Sequence, residues 1–194
     1  MIQVTGTSPS AATAHTSPMT VERKLPMDLT LIDGLTRLLL AVWLGSMICF
    51  SFLMAPSAFK VLPTRHMAGS IVNAVLGKVE WLGVGTGLIL TVLLAATVLL
   101  TQHHQKMLGW VVMALPVLMT ISCAISKWVV SAKMASLRQM MGEIDRIAAT
   151  DPLKIMFNSY HQYSVWLMGF NLLACIVLIF LQMYLVSSGL KKTG

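Results

Sequence analysis

Long apolar runs alternate with short polar ones along this chain. Four runs stand out, at roughly Leu35–Phe59, Trp81–Leu100, Met107–Ser126 and Tyr163–Gln182. The last three contain no Asp, Glu, Lys or Arg, and the first carries only Arg37, near its start. A hydrocarbon layer about 30 Å thick is crossed by about 20 helical residues rising ~1.5 Å each. A charge at mid-membrane depth costs about 3 kcal/mol or more, which accounts for the scarcity of charges in these runs. The pattern predicts an all-α polytopic membrane protein, an antiparallel bundle of four transmembrane helices.

Local signals punctuate the runs. Residues 1–29 are rich in Ser, Thr, Ala and Pro and lack an apolar core, so they read as a flexible tail and not as a secretory signal. The membrane domain is expected over 30–188, with a short basic tail at 189–194. Thr30 and Asp33 have the form of a capping box before the first span. Pro56, after Ala55, should kink or end the first helix. Thr64 is placed to cap the second, whose first part, Arg65–Val79, is read as an amphipathic extension with Met67, Ile71, Val75 and Leu76 on one face. Gly83 and Gly87 make a small-xxx-small pair suited to close helix contact, and Gly45 and Pro56 are read as packing positions with them. No strand precedes these glycines, so a dinucleotide-binding reading fails. Pro116 should bend the third helix. That helix is expected to continue as a second amphipathic extension carrying Leu137, Met140, Met141, Ile144 and Ile147. Asp151-Pro152 has the residues of an N-cap and first helical position, and the fourth helix is expected to end near Val186.

Of the 194 residues, 56% are hydrophobic and 11% charged, with mean hydropathy +0.77. One small bundle uses most of this length. The net charge of +7 comes from basic residues scattered through tail, loops and helix ends, which suits anionic lipid headgroups; no nucleic-acid partner is expected. Lys and Arg number eight on the side of the first and third loops and six on the other, which favours those loops inside. Trp81, Trp110, Trp128, Tyr163 and Tyr184 fall near span ends, as an aromatic belt would. Cys49, Cys123 and Cys175 lie in three different spans and read as packing residues, as do the 15 Met.

In an antiparallel bundle, the start of the second span, the end of the third and the start of the fourth share one interface. That gathers Lys78, Glu80, Lys127, Asn158, Tyr160 and His161 as a polar cluster. Glu80 is the one acid near a span, and Lys127, Lys78 or His161 is its expected partner in an interfacial ion pair. His161 is the candidate cofactor residue: a neutral imidazole there suits haem or a chlorophyll magnesium, or else it hydrogen-bonds a neighbouring helix. His103 and Met107 have i, i+4 spacing, but two histidines in a polar turn read as linker, and no metal site is expected. Asn171, near the middle of the fourth span, is expected to hydrogen-bond across the bundle. No nucleophile elbow, Cys/His pair or metalloprotease motif occurs.

Three strings carry a resemblance: Trp43 and Gly45; Ala55, Pro56 and Phe59; and Phe157 and His161. In this order they resemble the transmembrane protein 205-like family (domain of unknown function 4149), over about Leu35–Leu185. The resemblance implies a four-helix integral membrane protein without established enzymatic activity. A eukaryotic member associated with platinum-drug resistance implies transport or trafficking. A fainter similarity is to copper-resistance D-type domains and a related haem-pathway oxidase, which use a first-helix histidine that this chain lacks.

The expectation is therefore a non-enzymatic protein of a bacterial cytoplasmic (inner) membrane. It would be an accessory subunit of a larger respiratory or photosynthetic complex, contacting the bilayer, other membrane subunits, and a bound lipid or tetrapyrrole. The alternative is a small-solute or metal-ion transport or resistance protein that uses the polar cluster.

Overall fold

The computed structural model describes residues 27–101 and 106–191. The tail at 1–26, most of the middle turn with His103 and His104, and 192–194 lie outside the described residues. Four helical rods account for nearly all of the rest. The first rod is α1 (Met27–Ile48), a wide π turn (Cys49–Met54) and α2 (Ala55–Val61). The second is α3 (Arg65–Thr101). The third is α4 (Lys106–Ile125), a second π turn (Ser126–Ser131) and α5 (Ala132–Met141). The fourth is α6 (Pro152–Lys191), preceded by a 3-10 turn at Ile144–Arg146. Each rod is long and apolar enough to cross a membrane.

Sequence neighbours are neighbours in space. α1 packs on α3 and α6, and α4 packs on the same two, so the rods close into a ring. The core is filled from all four, by Leu40, Trp43 and Met47 of α1, Leu90 of α3, Met119 of α4, and Cys175 and Leu178 of α6.

Helix ends follow local chemistry. The Thr64 hydroxyl accepts the Met67 amide at 3.2 Å, and Asp145 reaches from the 3-10 turn to accept the His66 amide at 3.1 Å. Both satisfy amides that a helix start leaves orphaned. Leu62 is extended (ψ 140°), because Pro63 disfavours helical geometry in the residue before it. Asp151 accepts the Leu153 amide at 2.8 Å, with Pro152 opening α6. α5 stops at Gly142, whose φ of 62° and ψ of −118° suit a residue without a Cβ.

Several expectations are corrected. The first helix is already running at Met27, so Thr30 and Asp33 lie inside it and are not its cap. Pro56 neither ends the rod nor packs in the bundle; it is exposed. The π turn before it absorbs the missing hydrogen bond, with the Ala55 amide bonded to the Phe50 carbonyl five residues back. Met67 and Ile71 face outward, while Ala68, Leu76 and Glu80 are buried. The third-helix extension buries Met134, Leu137 and Met141 and exposes Met140. Ile144 and Ile147 fall beyond the Gly142 stop. α6 runs past Val186, its expected end, to Lys191. Pro116 lies buried inside α4, and the helix's continuity does not bear on its expected bend.

The glycines separate sharply. A Cβ at Gly83 would overlap the Trp43 ring and sit 2.7 Å from Cys123 Sγ. One at Gly87 would collide with the Thr120 hydroxyl. Gly45 is exposed with open space around it, so the packing role read for it is not present. The expected outcome is that Gly83→Ala lowers stability by about 1–3 kcal/mol through overpacking. Gly85→Ala, which also meets open space, should stay within about 0.5 kcal/mol of the parent. Thermal melting in detergent micelles compares the two.

Candidate functional site

Glu80 is buried, with 3% of its surface exposed. It lies on the face of α3 that meets the third rod, one turn before Gly83. Its Oε1 accepts hydrogen bonds from Ser126 (2.6 Å) and Ser131 (2.7 Å), which bracket the second π turn. Lys127 Nζ lies 3.9 Å from Oε2 and donates to the Gly77 carbonyl at 3.4 Å. Glu80 therefore takes Lys127, and not Lys78 or His161, as its ion-pair partner. Deeper in the bundle, Asn171 donates to the Ser122 hydroxyl at 2.9 Å and to the Leu167 carbonyl at 2.8 Å. Glu80, Ser126, Cys123 and Asn171 line a void of about 10 Å³ with Trp43, room for about one water.

The rest of the expected cluster lies elsewhere. Lys78 is exposed. Tyr160 stacks edge to face on Tyr163, with centroids 6.1 Å apart. Asn158 and His161 line a separate and much larger space. Equal depth on neighbouring helices does not bring side chains together, because each helix shows a different face at that level.

That larger space is a cavity of about 960 Å³. Along the first rod α1 packs on both α3 and α6, whereas beyond the π turn α2 packs on α3. The gap is walled by Phe50, Phe52, Pro56 and Phe59 on one side and by Phe157, His161, Val165 and Leu172 on the other. Arg65, Asn73, Arg138, Asp145, Lys154 and Asn158 also line it. Arg65, Arg138, Asp145 and Lys154 all lie at the end where the short interhelical links gather, whereas Phe50, Met168 and Leu172 lie deeper. From Lys154 to Leu172 the α6 wall runs about 27 Å at ~1.5 Å per residue. The cavity is polar and cationic at one end and apolar at the other.

Arg138 is fixed at the polar end. Its Nη1 donates to the Gly69 carbonyl at 2.6 Å, and its guanidinium lies over the Phe157 ring, 5.5 Å from the centroid, a cation–π contact. Lys154 Nζ donates to the Ile147 carbonyl at 2.8 Å. Composition and periodicity did not single out Ser126, Ser131, Arg138, Arg65 or Lys154 as site residues. Only the clustering of basic residues on one side of the bundle signalled the last three.

The Glu80 network is expected to be structural. Glu80→Ala should lower stability by about 2 kcal/mol, at ~1 kcal/mol for each serine hydrogen bond. Glu80→Gln, which keeps an acceptor at Oε1, should cost about half as much. Thermal melting with circular dichroism reads the difference.

The model of the family described as Domain of unknown function (DUF4149) matches residues 38–143, from the middle of α1 through α5 and the Gly142 stop. No curated protein and no solved structure matches the chain. Two strings of the resemblance, Ala55-Pro56 with Phe59 and Phe157 with His161, meet on the wall of the lateral cavity. The match covers more than half of the 194 residues, and this four-helix membrane protein belongs to the DUF4149 family.

Proposed function

We propose that this protein is a non-enzymatic membrane component that holds an amphiphilic ligand in the cavity between α2 and α6. It serves as an accessory part of a larger assembly in a bacterial cytoplasmic membrane. The cavity carries the reading. Its volume, about 960 Å³, lies at the upper end of the range for small-molecule sites, about 300–1,000 Å³. Its charged groups gather at one end, and its deeper wall at Phe50, Val165 and Leu172 is apolar, which is the division an amphiphile has. Because it opens where two membrane-spanning rods separate, a ligand can enter sideways from the bilayer without crossing water.

The Glu80 network supports the same reading by contrast. Its void admits about one water, so it offers no room for a substrate. Among the described residues no three His, Cys, Asp or Glu side chains gather, so the metal-handling alternative draws no support from a ligand cluster. Transport of a small amphiphile would use the same cavity and would differ in releasing the ligand on the far side.

Protein extracted in mild detergent should carry a co-purifying amphiphile, detected by native mass spectrometry, and should migrate with a larger complex in native electrophoresis. Gly169 lines the cavity with open space beside it, so Gly169→Trp should fill the site and remove the ligand while the bundle stays folded. A preparation without bound amphiphile under any extraction condition would defeat the reading. A Soret band in the visible spectrum would show that the amphiphile is a tetrapyrrole, with His161 its expected ligand.

A further inference from the structure

We infer that the amphiphile is an anionic phospholipid, its phosphate held by Arg65, Arg138 and Lys154 and an acyl chain lying toward Phe50, Val165 and Leu172. The inference rests on the amphiphile reading above and adds the headgroup chemistry.

The charge balance of the cavity points to an anion. Three cationic side chains line it against one carboxylate, Asp145, and that carboxylate already accepts the His66 amide. The cations keep donors in reserve. A guanidinium has five N–H groups and an ammonium three. Arg138 commits Nη1 to Gly69; its Nε is buried and has no hydrogen-bond partner among the described residues. Lys154 donates to Ile147 and retains two further protons. Contact with Gly69 and Phe157 orients Arg138 before any ligand arrives, which lowers the entropy lost on binding.

The source of the anion follows from the apolar end. A soluble phosphate would need only the polar end and would leave the surface around Phe50 and Leu172 unused. The α6 wall, about 27 Å long, is comparable to one bilayer leaflet of about 20 Å with its headgroup. Basic pockets between transmembrane helices are suited to acidic lipid headgroups. The cationic end also lies on the side of the bundle richer in Lys and Arg, the side expected to face the cytoplasm, where anionic lipids concentrate.

The test is native mass spectrometry of the full-length protein titrated with phosphatidylglycerol and with phosphatidylcholine of the same acyl chains. Phosphatidylglycerol should bind more tightly. Arg65→Gln and Lys154→Gln should each weaken it about fivefold and leave phosphatidylcholine unchanged. Lys78→Gln and Lys133→Gln remove exposed cations outside the cavity and should have no effect. Equal binding of the two lipids, both lost in Gly169→Trp, would overturn the headgroup assignment and leave the amphiphile reading standing. Displacement of phosphatidylglycerol by millimolar inorganic phosphate, with no dependence on acyl chains, would overturn the lipid assignment. Binding of both lipids that is indifferent to Gly169→Trp would remove the cavity from either role.

Discussion

Hydrocarbon offers no hydrogen bonds, so a polar group at membrane depth must find its partner inside the protein. Here that partner is supplied by the close approach of α3 to the third rod. The seam runs antiparallel and in steady register: Gly69 against Arg138, Gly77 against Lys127, Glu80 against Ser126, Gly83 against Cys123, and Gly87 against Thr120. Glycines bring the backbones near enough for short serine side chains to reach Glu80. With larger residues in their place, the carboxylate would lose its donors and the buried charge its compensation.

The two π turns divide the molecule's work between them. The second sets Ser126 and Ser131 on the same Glu80 oxygen. Five residues along an ordinary α-helix are separated by about 140° around the axis, so a regular helix would aim these hydroxyls apart. The first π turn joins α1, which packs on both α3 and α6, to α2, which packs on α3. It accommodates Pro56 and leaves the gap that becomes the lateral cavity. Extra backbone residues of this kind recur at functional sites in helical proteins because they re-aim side chains without ending the helix.

The interior network and the lateral cavity therefore have different characters. One is narrow, and in it Glu80 Oε1 accepts from both serines. The other is wide and unevenly charged. Of the two, the second has room for much more than one water. Arg138 ties α5 to α3 at Gly69 and lines the cavity.

The number of rods, their solvent and several of their ends were legible in the chain. Twenty apolar residues without charge have one economical use, and Thr64 and Asp151-Pro152 act through neighbours two or three residues away. The close contact at Gly83 and Gly87 was legible because a glycine pair at i, i+4 leaves few other purposes in a membrane helix. Glu80 could be singled out as a lone acid beside Lys127, but its serines could not, because the π turn that joins them has no period to read. The lateral position of His161 was equally hidden. Sequence fixes the depth of a side chain along its helix, whereas the azimuth of that helix is chosen by packing against its neighbours. Pattern and local capping thus determined what this protein is made of, and tertiary packing alone decided which polar groups meet and where a cavity opens.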